Sequence, residues 1–267
     1  MFSDRMIPIC KEIRKDILRT SKVSGHGHIP TCFSVIEILY AIYDTIKHDP
    51  NNPSWEDRDI FILSKGHAAL AHYYILAKLG YFGISEVNSF GSFMSDFGGH
   101  ADRLKVLGIE ASTGSLGHGI GIAVGMALGL KIKKSDRRVF ALIGDGESNE
   151  GPVWEAIMVA VNLQLDNLTI IYDNNMSHLR GLQIHNPSER FEAFGCEVVV
   201  VDGHDVEALK REIIKRPNTN KVRLVVANTT KGFGCKTLIE NHYEWHRKSP
   251  NDAEFEMLMK ELDAKAI

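Results

Sequence analysis

The chain has 267 residues, 44% hydrophobic and 24% charged, the proportions of an ordinary globular protein, which excludes disorder and collagen-like order. A formal net charge of −3, with basic residues scattered in short groups such as Lys131, Lys133 and Lys134, leaves no footprint for nucleic acid or an anionic membrane. The longest apolar run, residues 119–130, is too short and glycine-rich to span a bilayer, and the N-terminus lacks a signal-type apolar core. The expected location is cytoplasmic. Cys10, Cys32, Cys196 and Cys235 are too dispersed for a disulfide framework or a thiolate metal site and are expected to be reduced and buried.

Apolar residues recur at helical spacing in "ICKEIRKDILRT" and "SVIEILYAIYDTI", predicting two helices joined by the polar loop "SKVSGHGHIPTCF". The turn-rich "DPNNPSWEDRD" leads into "IFILSKGHAALAHYYILAKLGYF", read as a short strand, a Gly-His turn and a helix. Next, "STGSLGHG" opens the helix "IGIAVGMALGLKIKK", "VFALIGDG" leads to the helix "GPVWEAIMVAVNL", and "LTIIYDNN" is a strand opening a loop. "EVVVVDGHD" precedes the helix "VEALKREIIK", "VRLVVANTTKGFG" is a last strand, and "NDAEFEMLMKELDAKAI" closes as an amphipathic helix. Nearly continuous apolar strands alternating with helices predict a doubly wound α/β fold, a mainly parallel sheet with helices on both faces. No fixed-period repeat, low-complexity tract or Pro/Gly/Ser-rich linker divides the chain, so residues 1–267 read as one domain.

In such a sheet, ligands bind at the carboxyl ends of the strands. Asp145 sits at one of these ends, between Gly144 and Gly146, where a backbone without side chains admits close approach and the next helix start favours phosphate oxygens. Asn175 follows thirty positions later, one helix plus one strand away, so the two side chains are expected to meet at adjacent strand ends. A carboxylate, an amide oxygen and a nearby backbone carbonyl make a hard oxygen site suited to Mg²⁺ or Ca²⁺ completed by diphosphate oxygens. Gly-Asp-Gly alone is more often a tight turn; the second strand ending in Asn at this spacing makes the signal specific.

Among the histidines, His48, His72, His178, His185 and His242 have no glycine turn around them and are expected at the surface. His67 and His100 each follow glycine at a strand-to-helix or loop position. No His-x-x-x-His or similar zinc spacing is present. A cluster of neutral imidazoles suits proton exchange with hydroxyls in sugar carbonyl chemistry.

"GDGESNEG" followed by "YDNN" resembles the thiamine diphosphate motif, and the wider pattern is similar to the N-terminal portion of transketolases. The resemblance runs from "SGHGHIP" through "LSKGHAAL", "GGH", "GIEASTGSLGHGI", "RFEAFG" and "VDGHD" to "EWHRKSP", nearly the whole chain. It implies that Asp145, Asn175 and the main-chain carbonyl of Ser177 ligate the cation, while Gly144 and Gly146 let the diphosphate sit close. It further implies that Gly114, Ser115 and Leu116 contact the cofactor's rings and that Glu150 is an interface carboxylate; a helix N-terminal acid favoured by the dipole is the competing reading of Glu150. His28, His67, His100 and His246 match histidines of the substrate channel, His28 being preferred to His26 because its spacing to Glu37 keeps the family register. His118 stands where the family usually has glutamine.

Transketolases carry pyrimidine-binding and C-terminal domains beyond this portion, and with them the glutamate that assists cofactor activation and the arginines that hold the acceptor phosphate. The resemblance therefore implies one component of a two-component transketolase, inactive alone, paired with a separately encoded C-terminal subunit, two copies of each. The implied reaction moves a two-carbon ketol unit from a ketose or its phosphate to an aldose or its phosphate through thiamine diphosphate. Gly117, Gly121, Gly125 and Gly129 form a smooth helical stripe that either packs inside the domain or meets the other subunit. Two alternatives stand beside this reading. One is a subunit of another thiamine diphosphate enzyme, similar to deoxyxylulose phosphate synthase or to 2-oxo acid dehydrogenases; in the synthase-like reading "DNNMS" shifts the ligation to Asn174 and Met176. The other is a non-catalytic scaffold, because residues 175–190 are shorter than the family usually shows.

Overall fold

The computed structural model describes residues 7–217 and 220–264. The reading of residues 1–6, and the closing helix beyond residue 264, fall outside the described residues. Helices α1 (Pro8–Ser24) and α2 (Ile29–Thr45) each carry proline in the first turn, where its missing N–H costs nothing, and α1 ends on Gly25 in the left-handed conformation. There follow β1 (Ile60–Leu63), α3 (Ala69–Leu79), the short α4 (Ile84–Val87) and α5 (His118–Ile132). The chain continues through β2 (Val139–Gly144), α6 (Gly151–Asn162), β3 (Leu168–Asn174), α7 (Pro187–Ala193), β4 (Glu197–Asp202), α8 (Val206–Ile214) and β5 (Arg223–Asn228). Helices α9 (Lys236–Glu240) and α10 (Asp252–Asp263) close it, α10 through a capping box between Asn251 and Glu254.

The five strands form one parallel sheet in the order β1-β2-β3-β5-β4. Alternate residues of each strand face opposite layers. Phe61, Phe140, Leu142, Ile171 and Val225 pack on the layer holding α1, α2, α3 and α8, while Ile62, Ala141, Ile143, Ile170 and Val226 pack under α5, α6 and α7. The doubly wound reading is correct; β4, at the sheet edge, is only partly covered, with Val200 51% exposed. All four cysteines are free and buried.

Register determines the position of the site. Gly144 pairs with Asp173 and Asp173 with Ala227, so the loops after β2, β3 and β5 emerge side by side. The loop after β5 is held by a buried polar network. The Arg14 guanidinium bonds both oxygens of Glu37 at 2.6 and 2.7 Å and donates to the carbonyls of Phe33 and Phe233. His204 joins Glu37 through Nδ1 at 3.1 Å, accepts the Thr230 N–H on Nε2 at 2.9 Å and stacks on Phe233. Arg14 and Glu37 are fully buried, an arrangement tolerable only because every charge is paired. Burial pushes the Glu37 carboxyl up, but Arg14 and His204 overcome it and hold it down at about 2.

The surface expectation needs correction for His72, His48 and His242. His72 is buried, not at the surface: α3 is apolar all round, and its imidazole Nε2 meets the Tyr43 hydroxyl at 2.6 Å, while burial presses its pKa down to about 3. His48 is half-buried between the Tyr43 carbonyl and the Tyr81 hydroxyl, and His242 is also half-buried; His185 is exposed as expected. Of the α5 glycines, Gly117 packs against Glu150 and Pro152, but Gly121, Gly125 and Gly129 have no atom within 4 Å of where a Cβ would stand. Those three positions therefore do not serve packing within the described chain.

Candidate cofactor and substrate site

At the carboxyl end of β2, Asp145 is 1% exposed, its Oδ1 accepting the Gly146 N–H at 2.6 Å and its Oδ2 meeting His178 Nδ1 at 2.8 Å. Burial and the neighbouring Asp173 raise its pKa, against the pull of Lys65 and His178. Asn175 is buried beside it. Its amide nitrogen donates to Asp173 at 2.8 Å and to Ser34 at 3.1 Å, so the amide oxygen turns towards Ser177, whose N–H and hydroxyl lie at 3.0 and 2.6 Å. Asp145 and Ser177 line one cleft, and the Asn175 amide oxygen faces Ser177. Asn174, in contrast, donates its side chain to Asn228 at 2.8 Å, and the Met176 side chain is largely exposed, so the alternative ligand pair is turned aside.

Two lysines complete this cleft. Lys65, following β1, pairs with Asp173, which also meets Thr229 and, at 2.9 Å, Ser34. Lys231 donates to the Ser177 hydroxyl at 2.8 Å; burial and the Lys65 charge press its pKa down to about 8. Two buried ammonium groups in such proximity favour an anion between them. The cleft is lined by Gly144, Asp145, Gly146, Leu116, Lys65 and Lys231, with His67 and His246 at its rim. Its donor set, hard oxygens for a cation and ammoniums for oxyanions, fits a metal-bridged diphosphate.

Glu147 organises the cleft from behind. It is 3% exposed; one oxygen meets the Ser64 hydroxyl at 2.6 Å and the Gly117 N–H at 2.9 Å, and the other meets the Gly144 N–H at 3.2 Å. The ends of β1 and β2 and the start of α5 are joined by this carboxylate, whose pKa burial raises. Glu150, three residues on, is exposed at the start of α6 and makes no side-chain cap.

Next to the cleft lies a cavity of about 420 Å³ lined by His26, His28, His67 and His100 among others, so His67 borders both spaces. The rings of His28 and His67 meet edge-on with centroids 4.7 Å apart, those of His67 and His100 at 4.9 Å, and those of His28 and His246 at 5.0 Å. His28 Nδ1 donates to the His246 carbonyl at 2.8 Å, which leaves Nε2 of that tautomer as an acceptor. Burial, then the charge of neighbouring rings, presses His28 and His67 down to about 4, and burial also lowers His246. Uncharged imidazoles at neutral pH are the result. The His100 ring lies against Gly114, where φ is +147° and a Cβ would come within 2.9 Å of it, so only glycine allows that ring its place. His26 stands further out, against Gly91.

The structure therefore brings together His28, His67, His100 and His246, and separately Asp145, Asn175 and Ser177 with Gly144, Gly146 and Leu116; Ser115 is exposed nearby. Sequence reasoning missed Lys65, Lys231, Glu147 and His178. A lysine followed by glycine just past a strand end, in "SKGH" and again in "TKGF", was the available signal for the lysines. His178, expected at the surface, is buried because the short segment after Asn175 forms a 3-10 turn, Ser177–Arg180, that folds its ring under Asp145.

A doubly wound sheet with this cleft at its carboxyl ends is the architecture of a domain that grips a diphosphate-bearing cofactor. More particularly, the chain belongs to the transketolase family: residues 5–265 match the family described as transketolase, thiamine diphosphate binding domain. It is similar to an apulose-4-phosphate transketolase subunit of Actinobacillus succinogenes, 37% identical over 93% of this chain and 92% of that one. It is likewise similar to a 6-deoxy-6-sulfo-D-fructose transketolase subunit of a Clostridium species, 38% identical over 84% of each. Among solved structures, the transketolase of Campylobacter jejuni superposes with a TM-score of 0.86 at 29% identity, covering 96% of this chain and 42% of that one. A transketolase of Pichia stipitis gives 0.85 at 27% identity, covering 94% and 39%. The chain thus spans about two-fifths of the length of the solved transketolases and nearly the full length of the first of the subunit relatives.

Proposed function

We propose that this chain is the N-terminal subunit of a two-component transketolase, moving a two-carbon ketol unit from a ketose to an aldose, either sugar free or phosphorylated. The observation that carries the proposal is the contiguity of the two spaces: His67 borders both the lysine-lined cleft and the histidine-lined cavity. Asp145, Asn175 and the Ser177 carbonyl would hold Mg²⁺ or Ca²⁺, and Lys65 and Lys231 the diphosphate. Gly114, Ser115 and Leu116 would face the cofactor's rings. Bound thiamine diphosphate supplies the carbanion chemistry at its thiazolium ring.

The chain's own residues position and relay protons. Neutral His28, His67 and His246, with His100 beside them, would exchange protons with substrate hydroxyls and steady the charge that develops on a carbonyl oxygen. Burial keeps the imidazolium form of His28, His67 and His246 disfavoured. Glu150, exposed at the start of α6, would act across the contact between the two chains. Residues 1–267 would form one domain, with pyrimidine-binding and C-terminal domains supplied by a separately encoded partner, two copies of each chain in a cytoplasmic assembly. The names of the relatives, each called a subunit, support the partner, and the sugars in those names support a carbohydrate substrate. Among the described residues no helix is long and apolar enough to cross a membrane.

Calorimetric titration of thiamine diphosphate with Mg²⁺ into the chain and its partner tests the reading. Binding that is lost in Asp145→Ala and in Lys231→Ala is expected; undiminished binding in both variants would sink the site assignment.

A further inference from the structure

Two cations stand side by side after His246, and the structure treats them differently. Lys248 is neutralised: its ammonium lies 2.9 Å from Glu244 and 2.6 Å from Glu254 and sits over the Trp245 ring at 4.6 Å. Arg247 lines the histidine cavity beside His26, His28 and His100, and no carboxylate pairs with it among the described residues. The cavity wall contains neither Asp nor Glu among the described residues. The backbone at this point is fixed from both sides, by buried Trp245 and by the bond from His28 to the His246 carbonyl, whereas the Arg247 side chain is exposed at the cavity's edge.

A cavity whose wall holds no carboxylate among the described residues, with one permanent guanidinium on its rim, focuses positive potential where a ligand enters. Guanidinium presents a planar fork of donors that matches oxyanions in two-point contact, a geometry an ammonium does not reproduce. His28 and His246 feel that charge, which contributes to their lowered pKa after burial and their closer neighbours. An anion at Arg247 would relieve it.

We propose that Arg247, on the wall of the cavity that His26 also lines, is an oxyanion subsite of this chain, taking the terminal phosphate or sulfonate of the sugar whose carbon chain runs through the histidine cavity. The proposal rests on the ketol-transfer reading and goes further, because the resemblance alone puts phosphate-holding arginines on the partner. Arg247 is then a specificity-determining residue: it selects sugars that end in an anion and leaves the transfer chemistry to the rings deeper in.

The test is calorimetric titration of the full chain with ribose 5-phosphate, the corresponding 5-sulfonate and ribose, for wild type, Arg247→Gln and Arg247→Lys. Wild type is expected to prefer an anionic sugar to ribose by about tenfold or more, the worth of one charge-assisted hydrogen-bonded pair. Arg247→Gln removes the preference, Arg247→Lys keeps part of it, and ribose binds all three alike. The stronger of the phosphate and sulfonate arms names the anion. No preference in wild type, a preference that survives in Arg247→Gln, or equal losses for ribose and its anions would overturn the subsite. A wild-type chain that prefers the anion through Arg247, yet transfers no ketol unit once its partner is added, would instead overturn the reaction reading alone.

Discussion

The cleft and the cavity that meet at His67 solve opposite electrostatic problems. In the cleft, ionisable groups are buried and held by polar partners: Lys65 by Asp173, Lys231 by the Ser177 hydroxyl, Asp145 by His178. In the cavity, charge is suppressed: burial first, and then the charge of neighbouring rings, lowers His28 and His67. An anchor must hold permanent charge in one geometry, whereas a proton relay must be able to take charge and return it. One strand-end platform supports both: the paired groups of the cleft lie at the ends of β1, β2, β3 and β5, and the rings of the cavity on the loops and turns beside them, His28 immediately before α2.

Glu37 joins Arg14 and His204 in the buried network that holds the loop after β5, so Glu37→Leu has the largest expected effect. Arg14 would be left buried and unpaired, costing about 3–5 kcal/mol of stability, and denaturant unfolding should show it. A loss within about 0.5 kcal/mol would mean that the network contributes little. Within the cleft, Asp145→Ala should weaken cofactor binding by about 100-fold or more, the sum of a lost ligand and lost charge-assisted bonds, as titration would reveal. Within the cavity, His100→Ala should leave cofactor affinity within about twofold while lowering kcat/KM about 100-fold. Should both substitutions impair binding equally, the division between anchor and relay would fail.

Acid should separate the regions by sign. His28 and His67 fall from an ordinary value near 6.5 to about 4 in the fold, so the unfolded chain binds more protons between these limits. Their contribution is fully present above about pH 6.5 and is lost as pH falls to about 4. Asp145 and Glu147 are raised by burial, so their protonation on acidification favours the fold. Thermal unfolding across that pH range should therefore lose less stability in His28→Asn than in wild type; identical slopes would contradict the assignment. The smallest effect on the chain itself is expected at the open helix surface. Gly125→Leu should raise stability by about 0.5–1 kcal/mol, because glycine is costly inside a helix and the position is open, yet reduce activation by the partner if that face is the contact.

Much of this was legible in the sequence because it depends on local periods. Nearly continuous apolar strands announce the sheet, and the Gly-Asp-Gly and Asp-Asn-Asn strand ends mark adjacent strand ends where the cleft lies. His72 was misread because its neighbours in sequence say nothing of the helices α2 and α3 that enclose it. Asp173, Glu147 and the Arg14–Glu37–His204 network were illegible for a similar reason: their bonds join residues far apart in the chain, as with Arg14 and Phe233 or Ser64 and Glu147. Strand order was also out of reach, since placing β5 between β3 and β4 is a property of the packed layers.

The central claim is a catalytic half that requires another chain, and the most direct measurement is ketol transfer from a ketose phosphate to an aldose phosphate, with thiamine diphosphate and Mg²⁺ present. The purified chain should show no transfer alone and full transfer when its C-terminal partner is added. Full activity from this chain by itself would contradict the account.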